Sequence, residues 1–419
     1  MKKEIKFNNA KFKILQISDL QDTKETSVDT LNFIESAIES VKPDLIVSTG
    51  DQLDVVGLWG KNEKNKNNVR NAIKRLFGIF EKYDIPYVLT FGNHDRETGV
   101  PNDEQAKIYN EFKNCICFDD LNDGRPDAAT FNLPIKSSDE SRTAMNLFIV
   151  DSHSSSKGRS YEAVNNKQLD WCVSESMKLK ADNGGKTVPS VVFQHIPVPE
   201  IYELLKEVPK GTCDALPAFK SRKGKYYILN KNTVTYAGDY GETPSPPDEN
   251  NGEFETLKDK CGVFAMYFGH DHYNSFIGKV DGVDLGYCPG AGYNTYGLKN
   301  RAVRVFEFDE SDIKDYKTYT VDYSDVCNKS LTQPVKNFIF SKAPCSPEAA
   351  GPFALKCTLI VLAIAAILIL VYHFINKSVV ITFLIAFAAA CVIYTLVSLT
   401  YNYILRRKKW KGWSIDNGK

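Results

Sequence analysis

Pro86-Tyr-Val-Leu-Thr-Phe-Gly-Asn-His-Asp95 joins an apolar run to a turn of glycine and three side chains that bind metals or carry protons. The run, rich in β-branched and aromatic residues, has the character of a short buried strand. The same design recurs along the chain. Phe12-Lys-Ile-Leu-Gln-Ile-Ser18 alternates as a strand and stops at Asp19, and Leu45-Ile-Val-Ser48 leads into Gly50-Asp51. Further strands are predicted at 145–150, 188–193, 262–268, 275–280, 283–287 and 303–308, and helical spacing at 30–41 and 69–83. Strands alternating with helices early and hairpins late predict an α/β layered sandwich with mixed sheets. Between Pro199 and Asn251 the composition is that of a long loop, ending in Thr243-Pro-Ser-Pro-Pro-Asp248. Such a connection inside a compact domain reads as a functional lid or insertion.

Side chains of metal-ligand type stand just beyond several strands: Asp19, Asp51, Asn93 with His94, His195, and His270 with His272. Carboxyl ends of strands in an open α/β sheet line one crevice, so residues this far apart in sequence can converge there. The chain has six histidines, and only His153 and His373 fall outside this set. Chance is a poor account of that clustering. The mixed oxygen and imidazole donors suit a pair of first-row divalent ions, manganese, iron or zinc, bridged by one carboxylate. Two such ions about 3.5–4 Å apart can clamp the attacking and leaving oxygens of an in-line displacement at phosphorus.

Taken in order, Asp19, Gly50-Asp51, Gly92-Asn93-His94-Asp95, Gln194-His195 and Gly269-His270-Asp271-His272 resemble the signature blocks of calcineurin-like metallophosphoesterases. The resemblance runs from about Lys11 to Phe308. Within it, His195-Ile-Pro-Val-Pro-Glu200, Gly269-His-Asp-His-Tyr-Asn274 and Gly290-Ala-Gly-Tyr-Asn-Thr-Tyr-Gly297 are similar to a subgroup of small purple-acid-phosphatase-like proteins. The resemblance implies a four-layer α/β/β/α sandwich of two mixed sheets. It also implies two divalent metals, one on Asp19, Asp51 and His272, the other on Asn93, His195 and His270, with Asp51 bridging and a shared hydroxide attacking phosphorus. His94 would contact the phosphoryl group or protonate the leaving oxygen, with Asp95 orienting its ring. General acid work of that kind contributes about 10²–10⁴-fold.

Two positions depart from the family pattern. Its usual Asp-x-His reads Asp19-Leu20-Gln21 here, an amide in place of an imidazole. The tyrosine that purple acid phosphatases place three residues after the bridging aspartate is Asp54, so no coloured iron-tyrosinate centre is expected. Gln21 and Asp54 are therefore possible metal ligands. Arg96 and Tyr293 are candidate substrate contacts; Tyr293 and Tyr296 could equally wall the pocket or pack in the core. His153 reads as structural.

Lys+Arg and Asp+Glu both number 52, so no net field favours nucleic acid, and no nucleic-acid partner is expected. The ten cysteines include no CxxC pair. Residues 357–375 and 379–401 are apolar and each long enough to cross a bilayer core, while Met1 to Phe7 lacks the apolar core of a signal peptide. Only Asn376-Lys377-Ser378 separates the two, a tight turn, and Arg406-Arg407-Lys408-Lys409 follows with Trp410 and Trp413. The positive-inside rule puts that end, and with two spans the globular part as well, in the cytosol, which disfavours disulfides. The expected organisation is a catalytic domain at 1–327, a linker at 328–353, two transmembrane helices at 354–405 and a basic tail at 406–419.

Three functions fit these observations. The first is a membrane-anchored phosphomonoesterase whose partner is a phosphorylated protein or small molecule. A phosphodiesterase or pyrophosphohydrolase for a nucleotide or lipid headgroup is the second. The third is a membrane-tethered binding protein whose catalysis has decayed, for which Gln21 speaks and the retention of His94 and Asp95 speaks against.

Overall fold

A computed structural model describes residues 4–118, 124–155, 161–344, 347–374 and 377–411. The chain divides into two compact units, Met1–Lys329 and Ser330–Lys419.

Two mixed sheets form the frame of the first unit. One has five strands in the order Asp312–Asp322, Ala302–Asp309, Lys11–Ile17, Leu45–Thr49 and Tyr87–Thr90, the last three parallel. The other has seven, in the order Val234–Tyr236, Ile277–Val280, Val283–Tyr287, Val263–Phe268, Ser190–Gln194, Thr143–Val150 and Phe131–Lys136. Its four consecutive strands from Val283–Tyr287 to Thr143–Val150 are parallel. Leu45–Thr49, Ser190–Gln194, Val263–Phe268 and Thr143–Val150 are buried at every residue. Continuous burial rather than alternation means that both faces of each sheet are covered.

Helices cover the outer faces. Val28–Val41 buries Leu31, Ile34, Ala37, Ile38 and Val41 at helical spacing and starts on Ser27, whose side chain accepts the Thr30 N–H. Glu63–Lys82 sets Phe77 and Phe80 against Tyr87, ring centroids 5.6 and 5.1 Å apart. On the seven-stranded sheet, Asn166–Asp182 supplies Leu169 and Cys172, and Glu253–Cys261 supplies Phe254, Leu257 and Cys261, to a core with Phe148, Val192, Met266 and Leu285. The inner faces meet each other: Phe306 of the first sheet packs edge-on against Phe193 and Tyr267 of the second, at 5.5 and 4.5 Å. Arg304, fully buried, crosses between the sheets and donates to the Tyr287 and Ser275 carbonyls at 2.7 and 2.6 Å. Burial pulls its guanidinium below the usual arginine range, but the carbonyls satisfy its donors. The result is the four-layer α/β/β/α sandwich.

The stretch between Pro199 and Asn251 is more ordered than its composition predicts. It folds into a small sheet of Leu205–Val208, Tyr226–Leu229 and Leu216–Pro217, and Val234–Tyr236 extends the large sheet beside Ile277–Val280. Strands of two to four residues are too short to leave an alternation signal. Every cysteine among the described residues is free.

The second unit consists of helices Pro334–Phe340, Pro347–Phe374 and Lys377–Lys411. Within the stretch read as a linker, then, lies one short helix and the start of a long one. Phe353–Phe374 spans 22 residues and Lys377–Lys408 spans 32, both apolar enough to cross a membrane, with large side chains such as Ile360, Leu362, Phe383 and Phe387 exposed. At 1.5 Å per residue the shorter is roughly 33 Å long, about one hydrocarbon core. The Thr332 hydroxyl donates to Asn402 Oδ1 at 2.9 Å, so the start of this unit lies level with the end of its last helix. Ile375, Asn376 and 412–419, including Trp413, lie outside the described residues.

Candidate metal centre

Each candidate ligand sits where an apolar strand ends, and the loops that carry them are bonded to one another. Asp19 N–H donates to the Gly50 carbonyl at 3.1 Å, Gln21 N–H to that of Asp51 at 2.8 Å, and Gly269 N–H to that of His195 at 3.1 Å. Asp19, Asp51 and His270 all have left-handed backbones, at φ 51°, 51° and 72°. Non-glycine residues adopt this conformation rarely, and holding three of them there turns the side chains into one crevice. Glycine makes the approach close enough: a Cβ on Gly269 would fall 1.9 Å from Ser18 Oγ, the hydroxyl that donates to Asp19 Oδ2 at 2.6 Å.

Asp19, Asp51 and His272, all buried, bring one ligand atom each within 4.8 Å of one another. His195 Nε2 lies 3.2 Å from Asp51 Oδ2, 3.2 Å from Asn93 Oδ1 and 3.3 Å from His270 Nδ1. The six residues therefore converge around Asp51, although 253 positions separate Asp19 from His272.

The tautomers are fixed from outside. His272 Nδ1 is 2.8 Å from the Tyr296 carbonyl and His195 Nδ1 is 2.9 Å from that of Thr49, so both carry their proton on Nδ1. Each Nε2 then faces a carboxylate oxygen: His272 faces Asp19 Oδ1, and His195 faces Asp51 Oδ2, both at 3.2 Å. Asp19 Oδ1 is buried without a hydrogen-bond partner. Each buried pair needs a positive charge between nitrogen and carboxylate, a proton or a metal ion, and the donor set is one that divalent first-row metals accept. The electrostatics agree. Burial opposes charge on His195, yet Asp51 and Asp19 push it up to about 9. Burial would also raise Asp51, but His195 and His94 overcome it and hold that carboxyl below the usual range. His270 is held well below the imidazole range by burial and by His195.

Other expected roles are redistributed. Asp95 does not reach the His94 ring: its carboxylate accepts the Leu53 and Gly92 N–H groups at 3.0 and 2.9 Å, tying the Asp51 and Asn93 loops together. The ring is held instead by Glu97, whose Oε2 is 2.8 Å from His94 Nδ1, while His94 Nε2 lies 4.0 Å from Asp51 Oδ2. His94 is 36% exposed, and although burial works against its charge, Asp51 and Glu97 raise it above the usual range.

Gln21 presents its NH₂ to Asp51 Oδ2 at 3.1 Å and its oxygen to the Thr295 hydroxyl, which is not the posture of a ligand. Asp54 spends Oδ1 on the Val56 N–H at 2.9 Å and is not among the clustered acids. Arg96 is bound by Asp151 at 2.6 Å. Tyr293 is a core residue, packed on Tyr323 at 5.4 Å and under the Arg301 guanidinium. Tyr296 is the one that reaches the centre, stacked on His272 at 4.0 Å with planes 4° apart. His153 is structural, bonded to Gln168 Oε1 at 2.8 Å. By sequence Glu97, beside Arg96, reads as a solvated loop residue or a substrate contact, so its hold on His94 is not foreseen, and sequence reasoning missed Tyr161, whose ring meets His270 edge-on at 4.5 Å.

The model of the calcineurin-like phosphoesterases matches residues 12–274. The chain belongs to that family. Phosphoester hydrolysis at divalent metals is the chemistry of this phosphoesterase family, and the clustered acids and histidines lie within the matched span. Among its relatives is the probable inactive purple acid phosphatase 14 of Arabidopsis thaliana, 28% identical over 347 residues covering 73% of this chain and 77% of the relative. Phosphatase DCR2 of Saccharomyces cerevisiae is 24% identical over 346 residues, 74% of this chain and 54% of that protein. Among solved structures, a dimetal phosphatase from Danio rerio aligns with 74% of this chain and 99% of its own, with TM-score 0.45 and 10% identity.

Proposed function

We propose that this phosphoesterase is a metal-dependent phosphomonoesterase, acting on a phosphorylated protein or small molecule at a membrane that its C-terminal helical pair spans. The observation that carries the reading is the convergence of buried imidazole nitrogens on buried carboxylates, His272 on Asp19 and His195 on Asp51 at 3.2 Å, with Asp19, Asp51 and His272 offering ligand atoms within 4.8 Å of one another. Asp19, Asp51 and His272 would hold one cation and Asn93, His195 and His270 a second, with Asp51 common to both; manganese, iron and zinc all suit these donors. Two divalent ions supply charge neutralisation for in-line displacement at phosphorus.

The chain's own residues do the rest. Glu97 holds His94 Nδ1, which leaves the Nε2 edge at the mouth of the centre to give a proton to a departing oxygen. Asp95 keeps the two ligand loops in register through Leu53 and Gly92. Arg96, braced by Asp151, adds a cation to the rim.

A second reading, a binding protein without turnover, draws on one observation: Gln21 gives a proton to Asp51 where the family supplies an imidazole ligand. Hydrolysis of p-nitrophenyl phosphate and its bis ester by the full chain in detergent, with manganese, zinc or chelator, separates the two. The monoester is hydrolysed faster, chelator abolishes the activity, and His94→Ala lowers kcat by about 10²–10⁴-fold. Activity indifferent to both chelator and His94→Ala ends the enzymatic reading; metal bound without turnover leaves the binding one.

A further inference from the structure

The segment between Pro199 and Asn251 brings to the centre a cation that the chemistry above does not use. In the short turn Lys220–Arg222, Lys220 Nζ stands 3.0 Å from the centroid of the Tyr161 ring, the same ring that meets His270 edge-on at 4.5 Å. Two ring contacts are all that separate this ammonium from a candidate metal ligand. The placement is built rather than incidental. Lys220 is half-buried and has a left-handed backbone, φ 53°, which lysine seldom adopts. Arg222 N–H donates to the Phe219 carbonyl at 3.1 Å, Lys223 N–H to that of Lys220 at 3.2 Å, and the Ser221 hydroxyl to Asp248. Beside it the Arg222 guanidinium lies 4.0 Å over Tyr202, whose hydroxyl donates to the Pro244 carbonyl at 2.8 Å.

Lys220-Ser-Arg-Lys-Gly-Lys225 thus carries four basic residues in six, in a chain whose charges balance overall. A lysine seated on an aromatic face and partly out of water is a compact point charge suited to a phosphate.

We propose that Lys220 anchors an anion subsite on the His270 side of the mouth, which selects phosphomonoesters carrying a second phosphate close to the one removed. This rests on the phosphomonoesterase reading. The metal centre takes the scissile phosphoryl group; Lys220 takes its neighbour.

The test is binding by the full chain in detergent, loaded with manganese, in a His94→Ala background that slows turnover. Dissociation constants are measured by calorimetry for glycerophosphoinositol 4,5-bisphosphate and 4-phosphate with Lys220, Lys220→Ala and Lys220→Arg. The preference for the bisphosphate falls about ten-fold in Lys220→Ala, the loss of one charge-assisted contact, and is largely kept in Lys220→Arg. The corresponding lipids in phosphatidylcholine vesicles form a second arm. A loss confined to vesicles assigns a lipid headgroup, and a loss with the free headgroup assigns a soluble phosphate compound. No bisphosphate preference in the parent, or a Lys220→Ala preference within about two-fold of the parent in both arms, overturns the subsite. Failure of the phosphomonoesterase reading looks different: these binding ratios would persist while no ester is hydrolysed.

Discussion

Gly92→Ala tests whether Asp51 is the shared element of the centre. An added Cβ would stand 2.2 Å from Asp51 Oδ1, 2.4 Å from the Asp51 backbone nitrogen and 2.7 Å from Cγ, where real Cβ contacts stay above 3.0 Å. Either the carboxylate or the 92–95 loop must retreat by roughly 1 Å, a displacement that by itself can lower turnover about 10²-fold. Neither can move alone. Asp51 Oδ1 accepts the His94 N–H at 2.8 Å, and Asp95 Oδ2 accepts that of Gly92 at 2.9 Å. Overpacking of this kind destabilises by about 1–3 kcal/mol, which leaves a protein of ordinary stability folded. The expected variant is therefore folded by near-UV circular dichroism, retains less than its full metal complement by atomic emission, and loses about 10²-fold or more in kcat/KM on p-nitrophenyl phosphate. Full metal content together with kcat/KM within about two-fold of the parent would refute a centre organised around Asp51.

Glu253, fully buried with Oε1 lacking a hydrogen-bond partner, has its carboxyl pushed to about 8 by burial, against a hydrogen bond from Gln194 and an unfolded value near 4.5. Between those values the folded chain keeps a proton that the unfolded chain has released, so stability falls as pH rises from about 4.5 to about 8 and then levels off. Glu253→Gln removes that slope: its melting temperature relative to the parent rises between pH 5 and pH 8, and an equal difference at both pH values would count against it. For the anchor, the full chain resists carbonate extraction, and protease added outside sealed microsomes digests the Met1–Lys329 unit; a protected unit would reverse the proposed topology.

The parts of the fold that could be read from sequence are those where one physical signal dominates. Fully buried strands such as Leu45–Thr49 and Val263–Phe268 are unbroken apolar runs, and the residues that stop them are ones that cannot be buried without a partner. The six candidate ligands were legible for that reason, far apart as they are. What was not legible depends on local direction. Asp95 follows His94 immediately, but the 3₁₀ turn Asp95–Thr98 sends its carboxylate inward to two N–H groups and brings Glu97, three residues on, back to the ring. Tyr293 and Tyr296 lie in one glycine-rich coil, and contacts distant in sequence, the buried Arg301 bonded to the Gly292 and Thr295 carbonyls and the Thr30 hydroxyl bonded to the Tyr293 N–H, set which ring faces the core and which faces His272.

Gln21 shows how a lost ligand differs from a lost site. An imidazole there would offer a lone pair; the amide offers a proton to Asp51 Oδ2 while the Thr295 hydroxyl binds its oxygen. That donation draws charge from the Asp51 carboxylate, and a first cation, on the proposed reading, would rest on Asp19, Asp51 and His272 alone. Weaker hold of that cation would follow. The local geometry still suits a cation: Asp19 Oδ1 is buried without a hydrogen bond, 3.2 Å from His272 Nε2, at a φ of 51°. Each of those features costs free energy without a positive charge nearby, and a cation would offset all but the backbone strain. On this reasoning Gln21, in place of the family's imidazole, would make a labile metal site rather than an inert one, and metal content falling on dialysis of the parent but retained in Gln21→His is the expected outcome.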